Sequence, residues 1–113
     1  MGLRHVYTSS LTVAASTSGT LNITVAPSGK KLKLVKTVIH FPAGTEGKLQ
    51  VQVRYGNTPV IPDSGYVVGD DVTFTFDKEW VYDAGTPVAV YYNNTDSSYS
   101  KSFYIAITVE EVE

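Results

Sequence analysis

The sequence predicts an all-β fold, a single antiparallel β-sandwich of about eight strands over residues 1–113. Three observations carry the prediction. Val, Ile and Thr number 16, 5 and 13, so β-branched side chains fill 34 of 113 positions; 13 Tyr, Phe and Trp join them, against 14 Leu, Ala and Met. Such side chains suit a pleated, half-buried surface and lose rotamer freedom in a helix. Fourteen Gly and Pro residues break the chain at short intervals, the texture of short strands and tight turns. Apolar residues recur with period two in several segments, and none keeps a helical period over three turns.

Taken in order, residues 3–15 are the first strand, with weak alternation through Val6, Thr8, Leu11 and Val13. Ser16 to Gly19 is a turn. Residues 20–26 place Leu21, Ile23 and Val25 on one face and Thr20, Asn22 and Thr24 on the other. Residues 31–41 are the longest strand. Leu32 and Leu34 share one parity there, while Val35, Ile39 and Phe41 share the other, which requires a bulge near Leu34–Val35. Residues 48–55 turn Leu49, Val51, Val53 and Tyr55 inward and Gln50, Gln52 and Arg54 outward. Residues 56–70 hold three Gly and two Pro and form the longest irregular stretch, with Val60-Ile61 and Tyr66-Val67-Val68 tucked onto the sandwich. Residues 71–77 alternate Val72, Phe74 and Phe76 against Asp71, Thr73, Thr75 and Asp77. Glu79 to Tyr82 is a short or edge strand. Residues 86–93 and 102–112 are the last two, with Phe103, Ile105, Ile107 and Val109 on the inner face. Phe74, Phe76, Phe103, Ile105 and Ile107 are expected to be buried together.

Composition narrows the function. A chain of 113 residues is one domain and buries roughly 65% of its unfolded surface, enough for a core without staples. With no cysteine there is no disulfide framework, cysteine zinc site, iron–sulfur cluster or thiol nucleophile. A net charge of −2 gives no electrostatic footprint for nucleic acid. Met1 to His5 precede no apolar stretch of signal-peptide length, and no run approaches the roughly 18 apolar residues of a membrane helix. The expectation is a soluble protein made in the cytoplasm, with no membrane partner. Asn22 and Asn93 match the glycosylation sequon, which without a secretion signal carries little meaning.

Catalytic motifs are sparse. The two histidines, His5 and His40, have no Gly-x-Ser-x-Gly elbow to serve. Asp77 and Glu79 share parity, as an acid pair for glycoside hydrolysis would, but outward strand carboxylates are ordinarily just solvated. Asp70, Asp71 and Asp96 are weak metal candidates, with Asp77, Asp83, Asn93 and Asn94 as further hard oxygen donors. Asp and Asn are also ordinary turn formers, and no calcium-loop motif orders them. No cofactor and no catalysis are expected.

The aromatics say more. Seven of the eight tyrosines, and Trp80, lie at or beyond residue 55. Tyr91 and Tyr92 are adjacent in a strand, so one points outward, and Tyr104 has parity opposite to Phe103 and Ile105. Trp80, Tyr82, Tyr91, Tyr92, Tyr99 and Tyr104 are therefore candidates for a protein interface or for stacking on sugars. The ordinary decoration of a β-sheet explains them equally well at this point.

Val72-Thr73-Phe74-Thr75-Phe76, then Thr86 to Asp96, then Ser102 to Val109 resemble the last strands of small jelly-roll proteins of virions. Capsid decoration and fibre proteins of phages and archaeal viruses share this texture. It consists of a strand ending in Asn-x-x-Asp, a polar loop and a strongly alternating terminal strand. The likeness spans about residues 70–112. It implies a jelly-roll fold, a structural role in the virion, oligomerisation and no catalysis, and it transfers no site residue. The expected function is a self-assembling structural or interaction module, a capsid decoration or fibre-associated component. The expected state is a homo-oligomer, dimer or trimer, with other virion proteins or glycans as further partners. Residues 3–15 are expected to lie across a neighbouring copy. A carbohydrate-binding module using outward Tyr and Trp is the alternative.

Overall fold

The computed structural model describes residues 3–112. Nine strands are present among them: β1 Arg4–Val13, β2 Ser18–Val25, β3 Lys31–Phe41, β4 Leu49–Tyr55, β5 Thr58–Ile61, β6 Val72–Phe76, β7 Trp80–Tyr82, β8 Pro87–Asn94 and β9 Lys101–Val112. β5, inside the stretch expected to be irregular, is the strand the sequence pattern did not reveal. No helix among the described residues is long and apolar enough to cross a membrane.

The strands form two antiparallel sheets, one ordered β1-β9-β3-β6 with β7 also on β3, the other β2-β8-β4-β5. The chain passes from one sheet to the other at every connection except β4 to β5 and β6 to β7, which gives a jelly roll. Leu32, Leu34, Ile39, Phe41, Phe103, Ile105, Ile107 and Val109 pack with Leu49, Val51, Val53, Val88 and Val90 of the other sheet in one apolar core. Burying one such side chain contributes about 1.5–3 kcal/mol.

The expected bulge is present. The pairing of β3 with β9 shifts between Leu34 and Lys36, so Leu34 and Thr37 both face inward and Val35 is the extra residue. The other side of β3 is affected as well. β7 pairs with Leu32 to Leu34 and β6 with Thr37 to Phe41, so the edge strand is split in two beside the bulge.

Two expectations are corrected. The register of β2 shifts between Asn22 and Thr24, which leaves Leu21 and Ile23 against the core and turns Val25 out to solvent. Phe74 and Phe76 are half-buried, because β6 lies at the edge of its sheet, while Phe103, Ile105 and Ile107 are fully buried. β1 is an integral edge strand of its own sandwich. It pairs with β9 of its own chain in continuous register from Arg4↔Glu110 to Val13↔Lys101.

Candidate interaction surface

The outer face of the β2-β8-β4-β5 sheet concentrates polar and aromatic groups. Arg54 and Tyr91 both have outward parity, and the Arg54 guanidinium carbon lies 4.0 Å from the Tyr91 ring centroid, a cation–π contact. Arg54 Nε also donates to Gln52 Oε1. After β5 the chain returns beside β4, where Val51 and Val67 exchange main-chain hydrogen bonds of 3.0 and 2.8 Å. Val67 thereby enters the core, and Tyr66 lands on the outer face with its ring 5.9 Å from that of Tyr91. Gln52 Nε2 donates to Gly65 O at 2.8 Å and holds this loop in place. Asn93 Nδ2 donates to Gln50 Oε1 across the strands at 3.1 Å. A tyrosine pair, a guanidinium and side-chain amides thus share one patch.

One end of the sandwich is a knot of loops. Ser16 N donates to Asp96 O, Thr95 N to Lys48 O and Gly47 N to Gly69 O, at 2.9, 2.9 and 3.1 Å. Asn94 organises it from inside. Its Nδ2 donates to the carbonyls of Val13, Ala14 and Tyr99 at 3.1, 3.2 and 3.0 Å, and its Oδ1 accepts from Asp96 N at 2.9 Å. Lys101, nearly buried, donates from Nζ to Gly44 O at 2.7 Å and to Glu46 Oε1 at 3.2 Å, and lies 3.4 Å from Asp96 Oδ2.

The weak metal candidates sit here and are engaged otherwise. Asp70 Oδ1 accepts from the amides of Gly44 and Glu46 at 2.8 and 3.1 Å. Asp96 Oδ1 accepts from the amides of Ser98 and Tyr99 at 2.8 and 3.1 Å. These amides hold both carboxyls below the usual carboxylate range. Desolvation pulls the Lys101 ammonium down, but its hydrogen bonds to Glu46 and Asp96 outweigh this and leave it raised. Asp71 is exposed in a positive-φ turn. Among the described residues no three His, Asp or Glu converge as a metal site would require.

The aromatic candidates separate into two groups. Tyr82 belongs to the core: it is fully buried, its hydroxyl donates to Arg54 O at 3.0 Å, and burial pushes its phenol pKa up. Tyr92 turns inward against Phe103, and Trp80 is half-buried beside Tyr55. Tyr99 is 70% exposed on the loop end and Tyr104 44% exposed on the outer face of the β1-β9-β3-β6 sheet. Tyr91 is half-buried within the patch described above. Arg54 and Tyr66 are partners of Tyr91 that the sequence pattern does not reveal. Their outward parity was readable, but their proximity depends on strand pairing and on the returning loop.

No protein-family model matches the chain, and no curated protein sequence matches it. Solved structures do. A chain of the cyanophage Pam1 capsid aligns over 96% of this chain and 85% of its own length, with TM-score 0.59 and 15% identity. A chain of the acid-stable capsid of Helicobacter pylori bacteriophage KHP30 aligns over 100% and 99%, with TM-score 0.56 and 16% identity. A protein of Sulfolobus Turreted Icosahedral Virus matches with TM-score 0.59 and 17% identity over 96% of this chain, which spans only 29% of that protein's length. The likeness covers the whole chain, well beyond residues 70–112, and at these identities it is one of fold: the chain has the jelly-roll architecture found in structures of phage capsids and of an archaeal virus.

Proposed function

We propose that the chain is a non-catalytic structural component of a virion, positioned as a capsid decoration or fibre-associated protein that assembles with copies of itself. The observation that carries this reading is the end-to-end match in fold and size to a chain of a phage capsid. The polar groups of the loop end also support the reading: they are used up in knitting loops together, which gives a rigid end to present to a shell. Tyr99 and Tyr104 are exposed and offer the large amphipathic area typical of protein contacts. Disrupting the encoding gene tests this. Particles that fail to form, or that lose their shell on mild heating, are expected. Particles of normal yield and heat stability would overturn the reading.

The patch around Tyr91 favours a second reading, sugar binding, because tyrosine rings stack on sugars while amides and a guanidinium bond their hydroxyls. A glycan array probed with the protein and with Tyr66→Ala tests it. Binding lost in the variant supports it, and no binding by the intact protein ends it.

A further inference from the structure

β1 and β2 form one flank of the sandwich, and their free edges differ from those opposite. Leu3 O accepts from Glu111 N at 2.9 Å, and the ladder continues in register to Val13↔Lys101. Bonded and non-bonded pairs alternate along an antiparallel ladder. His5, Tyr7, Ser9, Leu11 and Val13 therefore bond to β9. Val6, Thr8, Ser10 and Thr12 turn their N–H and C=O groups to the flank, where no described strand lies.

Natural sheets blunt such edges with short strands, charge, Pro or bulges. The opposite flank does so. Its edges are β6 and β7, of five and three residues, bracketed by Asp71, Asp77, Lys78 and Glu79, and β5, of four residues with Pro59 in it. β1 instead runs ten residues in unbroken register. From Val6 to Gly29 there is no Asp, Glu, Lys, Arg or His. Tyr7, Leu11, Leu21 and Ile23 are only partly buried along this flank, and Val6 is 66% exposed.

We propose that this flank is the contact between two copies of the chain, made by antiparallel pairing of β1 with β1 of a second copy about a two-fold axis. The inference deepens the proposed assembling role and rests on it. An axis at Ser9 sets Val6 against the second copy's Thr12 and Thr8 against its Ser10, with about eight main-chain hydrogen bonds. Arg4 then meets the second copy's Ala14, so no like charges face each other. A ten-residue strand is about 33 Å long and the sandwich is 22 Å deep. The contact therefore buries on the order of 1,400 Å² in total, the size of a specific dimer interface. The same surface serves both copies, as two-fold symmetry requires.

Light scattering at micromolar concentration, with circular dichroism as the check on folding, tests the contact. Ser10→Pro removes a flank-facing N–H and no bond to β9, and edge strands tolerate Pro there. Thr8→Lys leaves the backbone alone and sets two ammonium groups near each other across the axis. The intact chain is expected to have the mass of a dimer. Each variant is expected to keep its β-sheet spectrum and to dissociate at least tenfold more readily. A monomeric intact chain overturns the contact and leaves the virion role to the gene-disruption test. An oligomer that keeps its affinity in both variants also overturns it, because the copies would then meet elsewhere, for instance through the groove beside Pro62, Phe74 and Phe76 on the opposite flank.

Discussion

Replacing Asn94 with Ala removes an amide whose two N–H groups serve three carbonyls, one of them shared between two, and whose oxygen accepts a further hydrogen bond. Asn94 is 1% exposed. Its amide ties the end of β1, the turn after it and the β8–β9 loop, while its carbonyl oxygen positions the Asp96 amide. Each neutral hydrogen bond contributes about 0.5–1.5 kcal/mol net, and a buried group left without a partner costs about 1–3 kcal/mol. The carbonyls at the rim recover part of this from water, so the expected loss is about 3 kcal/mol. In a domain of this size that lowers Tm by about 10–20 °C. Urea unfolding followed by circular dichroism measures it, with an unchanged m-value showing that the native state keeps its compactness. Asn94→Asp keeps the shape but swaps the donor for a carboxylate facing three carbonyls, and is expected to cost at least as much at neutral pH. A loss under about 1 kcal/mol in both variants would refute the idea that this side chain locks the loop end.

Ile105→Ala, at a fully buried position, is expected to cost about 2–5 kcal/mol, and Phe74→Ala, on the half-buried edge strand, less than half as much; equal costs in denaturant titrations would contradict the edge placement of β6. Thr37 Oγ1 is buried with no hydrogen-bond partner among the described residues, so Thr37→Val is expected to be neutral or to stabilise by about 1 kcal/mol, and a loss beyond that would reveal a partner for the hydroxyl. Asp70 and Asp96 are held below their ordinary value of 3.8, so their contribution is present above about pH 4 and is lost as the pH falls through the lowered values. The urea midpoint is expected to fall between pH 5 and about pH 2, and to fall less in Asp96→Asn; an identical fall in the variant would remove Asp96 from the account.

Strand pattern was largely legible because one face of each strand is buried and period two records it. The bulge near Val35 was readable too, since Leu34 and Ile39 cannot share a face without an extra residue. The bulge at Ile23 was not, because alternation from Thr20 to Val25 is clean and only pairing with β8 turns Val25 out. The half-burial of Phe74 follows from an edge position, and which strand lies at an edge is a property of the whole sheet order. The site was less legible. The outward parity of Tyr104 matches its exposure, but Tyr82 pairs opposite Leu32 and fills the core. Asn94 and Asp96 read as oxygen ligands or turn formers. Their real partners are carbonyls, amides and Lys101 brought from segments up to 81 residues away in the chain, a separation no local pattern records.

A structural place in a virion is the role proposed for this jelly roll. Quantitative mass spectrometry of gradient-purified particles from the encoding source tests it most directly. The chain is expected in the particle fraction, in a fixed ratio to the major shell protein that survives salt washing. Absence from particles, or a trace amount that washing removes, would contradict it.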